Sequence, residues 1–216
     1  MSAPRRRRAA VAALLLLALG GSSYVWWAEG GRRLFYPRNF HVVEPGFLYR
    51  SGQINRRLIE QVLRGQRIDL VIDLARDRPG DADAEAERDA IARLGIQRLS
   101  LPLHGNGRGS PADYAEALAA IASARSDGRH VLVHCTAGAE RTGGMIALYR
   151  TLFEGWSAED ARAEYERYRK DPDQYSPVLK FVDANVDQIA ALLVARGALP
   201  EAPSPLPQLS PKSAPR

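Results

Sequence analysis

What this 216-residue chain lacks narrows its reading first. It has a single cysteine, Cys135, which excludes an internal disulfide framework and any zinc site built on cysteines. It also has no charge surplus outside its N-terminus. The formal net charge is +5, yet residues 1–33 hold Arg5 to Arg8, Arg32 and Arg33 against Glu29 alone, so residues 34–216 carry 24 basic and 24 acidic side chains. A nucleic-acid-binding stripe is therefore not expected. No internal repeat is present. The length suits one α/β domain of about 150–170 residues with appendages at both ends.

The first appendage is MSAPRRRR, residues 1–8, followed by the mostly apolar stretch 9–28, which ends in Tyr24-Val25-Trp26-Trp27. Its length suits one membrane-spanning helix, and the aromatic cluster suits an interface. The four leading arginines favour a cytoplasmic N-terminus, which puts the remainder of the chain on the outer, periplasmic-type face. The competing reading is a cleaved signal peptide and a secreted product, with Ala18-Leu19-Gly20 as a mediocre cleavage site. Residues 29–39 read as a linker and 40–199 as the folded domain. The Pro- and Ser-rich stretch 200–216 reads as a disordered tail.

Within the domain, residues 131–143 (VLVHCTAGAERTG) carry the chemistry. Val131 to Val133 read as a buried strand. A loop with Gly138 follows His134 and Cys135, and Thr142-Gly143 opens a helix. Backbone N–H groups of such a loop, together with a helix N-terminus, cradle a phosphate. Arg141 can grip two phosphate oxygens with its planar fork. The same donors stabilise a thiolate, so Cys135 is expected to be a nucleophile that attacks phosphorus. Thr136, Ala137, Gly138 and Ala139 would line the substrate cradle, with His134 and Thr142 in support. No metal and no cofactor is called for. Arg fills 27 of 216 positions, so Cys-x5-Arg alone says little. The flanking His, Gly and Thr-Gly make the pattern specific. The bland alternative is a core cysteine at a strand end before an ordinary helix start.

The stretch HCTAGAERTG resembles the signature loop of cysteine-dependent protein tyrosine and dual-specificity phosphatases, and the resemblance extends over about residues 40–197. It implies a central mixed sheet flanked by helices, in agreement with the alternation of apolar strands and amphipathic helices. It also implies hydrolysis of phosphomonoesters through a cysteinyl-phosphate. Phe47 to Gln53 (FLYRSGQ) resembles the opening strand of atypical members, which implies that Arg50 and Ser51 support the phosphate loop. The plain reading of Arg50 is a solvated strand-end charge.

The general acid is harder to place. Relatives usually carry an Asp three residues after a Pro beyond the third core strand. Here Pro102 is followed by Leu103, His104 and Gly105, so that Asp is missing. Glu140 is the first candidate, because tyrosine and lipid phosphatases with HCTAGKDRTG-like loops have an Asp there. Its alternative role is a salt bridge. His104 lies in a Gly-rich loop, 104–111, where relatives have a mobile acid loop, and Asp113 reads more naturally as a helix cap. The GN of that loop also resembles phosphatases of highly phosphorylated inositols, but Ala139 and Glu140 supply no positive charge for a polyanion. The expected partners are a phosphorylated protein, here favoured, or a phosphorylated lipid, and a membrane through residues 9–28. Two other readings are a sulfurtransferase, which His134, Arg141 and Thr142 fit less well, and a catalytically silent phospho-binding module.

Overall fold

The computed structural model describes Leu16, Leu17, Gly20, Gly21, Tyr24 and residues 31–211 apart from 77 and 170–175. The chain divides into two compact units, Met1–Tyr36 and Pro37–Arg216. In the first, a 3-10 turn covers Gly31–Leu34, and most of the expected span 9–28 lies outside the described residues. No helix among the described residues is long and apolar enough to cross a membrane.

The second unit is built on a five-stranded mixed sheet. Its strands are β1 (His41–Glu44), β2 (Leu48–Ser51), β3 (Ile68–Asp73), β4 (Gln97–Ser100) and β5 (His130–His134), in the spatial order β1-β2-β5-β3-β4. β1 and β2 are antiparallel around a turn at Glu44-Pro45-Gly46, where Phe47 N–H donates to Glu44 O at 3.1 Å. All other pairs are parallel. The helices are α1 (Ile59–Gly65), α2 (Ala82–Leu94), α3 (Pro111–Ser126), α4 (Glu140–Phe153), α5 (Ala158–Glu166) and α6 (Pro177–Ala195). The first of these opens only at Ile59, because the Asn55 side chain takes the Arg57 N–H at 3.0 Å and closes a local turn ahead of it.

β5 runs through the middle of the sheet with both faces covered. Val131 and Val133 enter a large apolar cluster with α3, α4, α5 and α6. Leu132 enters a smaller one with α1 and α2. This alternation is the period-2 pleat of a strand buried on both sides. The carboxyl ends of β2, β3, β4 and β5 thus converge, which is where parallel α/β sheets place their sites.

The C-terminal segment departs from the expected disordered tail. Leu199 and Leu209 are buried and Leu206 packs beside them. The Asp183 carboxylate on α6 accepts the N–H groups of Leu209 and Ser210 at 2.6 and 2.7 Å. A few leucines and one acidic acceptor suffice to dock this strap, because its prolines leave little chain entropy to lose.

Candidate active site

The loop after β5 wraps around the sulfur of Cys135, which is 1% exposed. Its geometry is set by what happens to its carbonyls. Thr136 O accepts the Gln53 N–H at 3.2 Å and Arg38 Nη1 at 3.3 Å. Ala137 O accepts Asn39 Nδ2 at 2.9 Å, and Gly138 O accepts Arg50 Nη2 at 2.8 Å. With three successive carbonyls held from outside, the loop's N–H groups are free to turn toward sulfur, and Gly138 N–H donates to Cys135 Sγ at 3.3 Å. Gly138 has a φ of 70°, and a Cβ there would lie 2.3 Å from the Gly52 nitrogen. Only glycine allows the loop to pack this closely on Ser51-Gly52.

Arg50 is therefore a buried brace, not a solvated charge. It is 0% exposed, and its guanidinium lies 3.7 Å from the centre of the Tyr168 ring. Ser51, also buried, supplies backbone beneath Gly138. Ala139 caps α4, its carbonyl taking the Gly143 N–H at 2.7 Å.

Arg141 is clamped by the segments that follow β3 and β4. Nη1 donates to Leu74 O at 2.9 Å and to Leu103 O at 3.3 Å, while Nη2 donates to Thr136 Oγ1 at 3.1 Å. The guanidinium plane is thus fixed before any substrate arrives. Burial by itself pushes the Cys135 thiol up. The Thr142 hydroxyl, the Arg141 charge and the N–H groups of Thr142 and Gly138 outweigh it, so the thiol is held below its ordinary range. A nucleophile, a planar cation and the N–H groups of Gly138 and Thr142 come together here.

The dual specificity phosphatase catalytic-domain family model matches residues 49–183. The chain belongs to this family. Dual specificity protein phosphatase TpbA of Pseudomonas aeruginosa is 29% identical over 120 residues, covering 56% of this chain and 50% of that protein. The chain thus aligns with about half the length of its curated relative. The crystal structure of P. aeruginosa TpbA superposes with a TM-score of 0.57 at 26% identity, over 74% of this chain and 91% of that one. The catalytic core of the PP-IP phosphatase SIW14 from S. cerevisiae shares the fold, with a TM-score of 0.58 at 20% identity over 79% of this chain and 97% of that one.

In this dual-specificity phosphatase domain the acid candidates separate. Asp113 closes a capping box with Ser110 at the start of α3, as its plain reading had it. Glu140, ranked first as acid from its position in the loop, has both oxygens engaged. Oε1 takes Arg169 Nε at 2.7 Å, and Oε2 takes the Tyr165 hydroxyl, with Ser176 Oγ at 3.5 Å. The carboxylate ties the loop to α5 and to the cap of α6, which is the salt-bridge alternative. His104 is exposed, one residue beyond the Leu103 carbonyl that holds Arg141. Its loop is pinned: Gly107 N–H donates to His104 O and Tyr114 OH to Gly107 O, both at 2.8 Å. A Cβ on Gly107 would lie 2.2 Å from Val178 Cγ2.

Four contributors escape sequence reasoning. Arg38 and Asn39 sit in the stretch assigned to a linker, Gln53 closes the FLYRSGQ stretch without a role of its own there, and Glu87 belongs to no motif. Their partners are 34 to 98 residues away, and no local pattern marks them.

Proposed function

We propose that this chain hydrolyses phosphomonoesters through a cysteinyl-phosphate, with phosphotyrosine-type protein substrates favoured. The observation that carries the reading is the depressed Cys135 thiol inside a cradle of N–H donors beside the fixed Arg141. The thiolate attacks phosphorus and forms the S–P bond while the ester P–O bond breaks. Arg141 and the loop N–H groups hold the equatorial oxygens, whose charge is spread over the transition state. The leaving oxygen takes a proton, and water then cleaves the S–P bond, releasing phosphate and restoring the thiolate.

A protein substrate is supported by the name of the curated relative, a dual specificity protein phosphatase, and by a structure of P. aeruginosa TpbA in complex with phosphotyrosine. A panel of phosphotyrosine peptides, phosphatidylglycerophosphate and phosphoinositides, turned over by the full chain in detergent, tests it. The peptides should lead by at least about tenfold in kcat/KM, a margin that direct substrate contacts readily supply. A lipid that leads instead makes the enzyme a lipid phosphatase. No turnover, even of p-nitrophenyl phosphate, makes it a silent binding module.

We take His104 as the proton donor to be tested against Glu140, because Glu140 is engaged by Arg169 and Tyr165 while His104 is exposed. General acid catalysis contributes roughly 10²–10⁴-fold and matters most for poor leaving groups. His104→Gln should therefore lose alkyl phosphate turnover while p-nitrophenyl phosphate stays within a few-fold. Glu140→Gln, which weakens a strut, should lower both rates together. A loss confined to alkyl phosphate in Glu140→Gln would return the role to Glu140.

Residues 9–28 anchor the enzyme, with the N-terminus inside and the catalytic unit on the outer face. The support is the twenty-residue apolar stretch and Arg5 to Arg8 before it. Mass spectrometry should find the N-terminal residues intact in the mature protein. A chain beginning near Gly21 would replace the anchor by a signal peptide.

A further inference from the structure

Behind Cys135, on the α1–α2 side of the sheet, lies an ion cluster that the mechanism above does not use. His134 and Asp73 are register partners at the ends of β5 and β3. Glu87 reaches them from the middle of α2, and Arg98 from β4. Glu87 Oε1 lies 3.0 Å from His134 Nε2, and Asp73 Oδ1 lies 3.7 Å from it. Arg98 Nη2 donates to Asp73 Oδ2 at 2.6 Å, and Ala75 N–H donates to Asp73 Oδ1 at 2.8 Å. Gln53 Nε2 donates to Glu87 Oε2 at 2.9 Å. Every carboxylate oxygen has a protein partner, so the cluster is an internal ion network and not a cradle for a cation.

His134 is 1% exposed and Glu87 2%. Two buried carboxylates face one arginine, and an unbalanced buried charge is strongly unfavourable. A protonated His134 brings the count to zero. Burial alone would push the imidazole down, but Glu87, Asp73 and the Cys135 thiolate outweigh it and raise it to about 9. An imidazolium adjacent in sequence to the nucleophile favours the thiolate, and the thiolate favours the imidazolium in return. The second oxygen of Glu87 acts on the loop by another route. It holds Gln53, whose backbone N–H caps Thr136 O on the loop's outer rim at 3.2 Å.

We propose that Glu87 is a positioning residue of this site: from α2 it keeps His134 cationic behind Cys135 and, through Gln53, steadies the rim of the phosphate loop. The proposal rests on the reading of Cys135 as a thiolate nucleophile. The groups facing His134 are Glu87 from α2, Asp73 from β3 and Cys135 from its own loop, with Arg98 of β4 acting through Asp73. Asp73 has Arg98 as its own counter-ion, so Glu87 is the carboxylate left to balance His134.

Cys135 is the only cysteine, so its titration in the full chain can be followed by thiolate ultraviolet absorbance and by the pH dependence of alkylation with iodoacetamide. Neither readout requires turnover, so a failure of the phosphatase reading and a failure of this proposal are told apart. Glu87→Gln keeps the volume and the reach to Gln53 but removes the charge. Its thiol should titrate about one unit higher, an approximately tenfold smaller thiolate fraction on the acidic side. The acidic limb of kcat/KM should move up in pH with it, while the high-pH plateau stays within a few-fold of wild type. Glu87→Gln added to His134→Asn should shift the thiol no further. A folded Glu87→Gln with an unmoved thiol titration overturns the proposal, as does a rate lowered equally at every pH. Should Glu87→Gln fail to fold, ¹⁵N resonances of the His134 ring in the unmutated chain decide. Both ring nitrogens protonated at neutral pH support the proposal, and a neutral tautomer there overturns it.

Discussion

Cys135→Ser should leave a folded chain that binds phosphorylated ligand and does not turn it over. The cradle does not depend on sulfur. Its carbonyls are held by Arg38, Asn39, Gln53 and Arg50, and its cation by Leu74, Leu103 and Thr136. A serine hydroxyl can accept the Gly138 N–H in place of the thiolate, but no group in the loop can ionise it at working pH. Removing the nucleophile of such a unit costs on the order of 10⁴-fold or more in turnover. Binding should move the other way, because the thiolate's negative charge no longer opposes the incoming phosphate. Calorimetry with a phosphotyrosine peptide should give an affinity equal to or tighter than that of the unmutated chain. Turnover within a hundredfold of wild type would remove the cysteinyl-phosphate from the mechanism.

The contrast between that loop and its surroundings explains what could be read in the chain. Residues 131–143 were legible because the chemistry needs a strand, a nucleophile, a glycine and an arginine in one unbroken run. The alternation of Val131, Leu132 and Val133 between two clusters follows from the apolar composition of a central strand. What holds the loop from behind was not legible. Arg38 and Asn39 reach it across 98 residues, and Glu87 reads as one more charge on an acidic helix until the fold buries it. Glu140 shows the same limit from the other side. Its place in the loop was readable, but its partners Arg169 and Tyr165 come from the far end of α5 and beyond. The docked strap after residue 199 was hidden for a related reason, since its acceptor, Asp183, lies on another element.

Arg141→Lys should separate charge from geometry. The substitution keeps a cation in the loop, so the Cys135 thiol should titrate within about half a unit of wild type. What it cannot keep is the fork. Arg141 holds the Leu74 and Leu103 carbonyls with one nitrogen and Thr136 with another, which fixes its plane for a bidentate grip on phosphate. An ammonium on a flexible stem can satisfy only part of that set, and its charge points wherever the remaining partner lies. The carbonyl that loses its donor is buried, at roughly 1–3 kcal/mol for an unsatisfied group, so a modest fall in Tm is expected. The larger effect is on the transition state, where the planar grip matters most. Both kcat and kcat/KM for p-nitrophenyl phosphate should fall by about 10²–10³-fold, the scale of losing a preorganised oxyanion donor. A thiol titration that shifts as far as the rate falls would make Arg141 a charge donor to sulfur. A rate within tenfold of wild type would show that the planar clamp between β3 and β4 has no part in holding the reacting phosphoryl group.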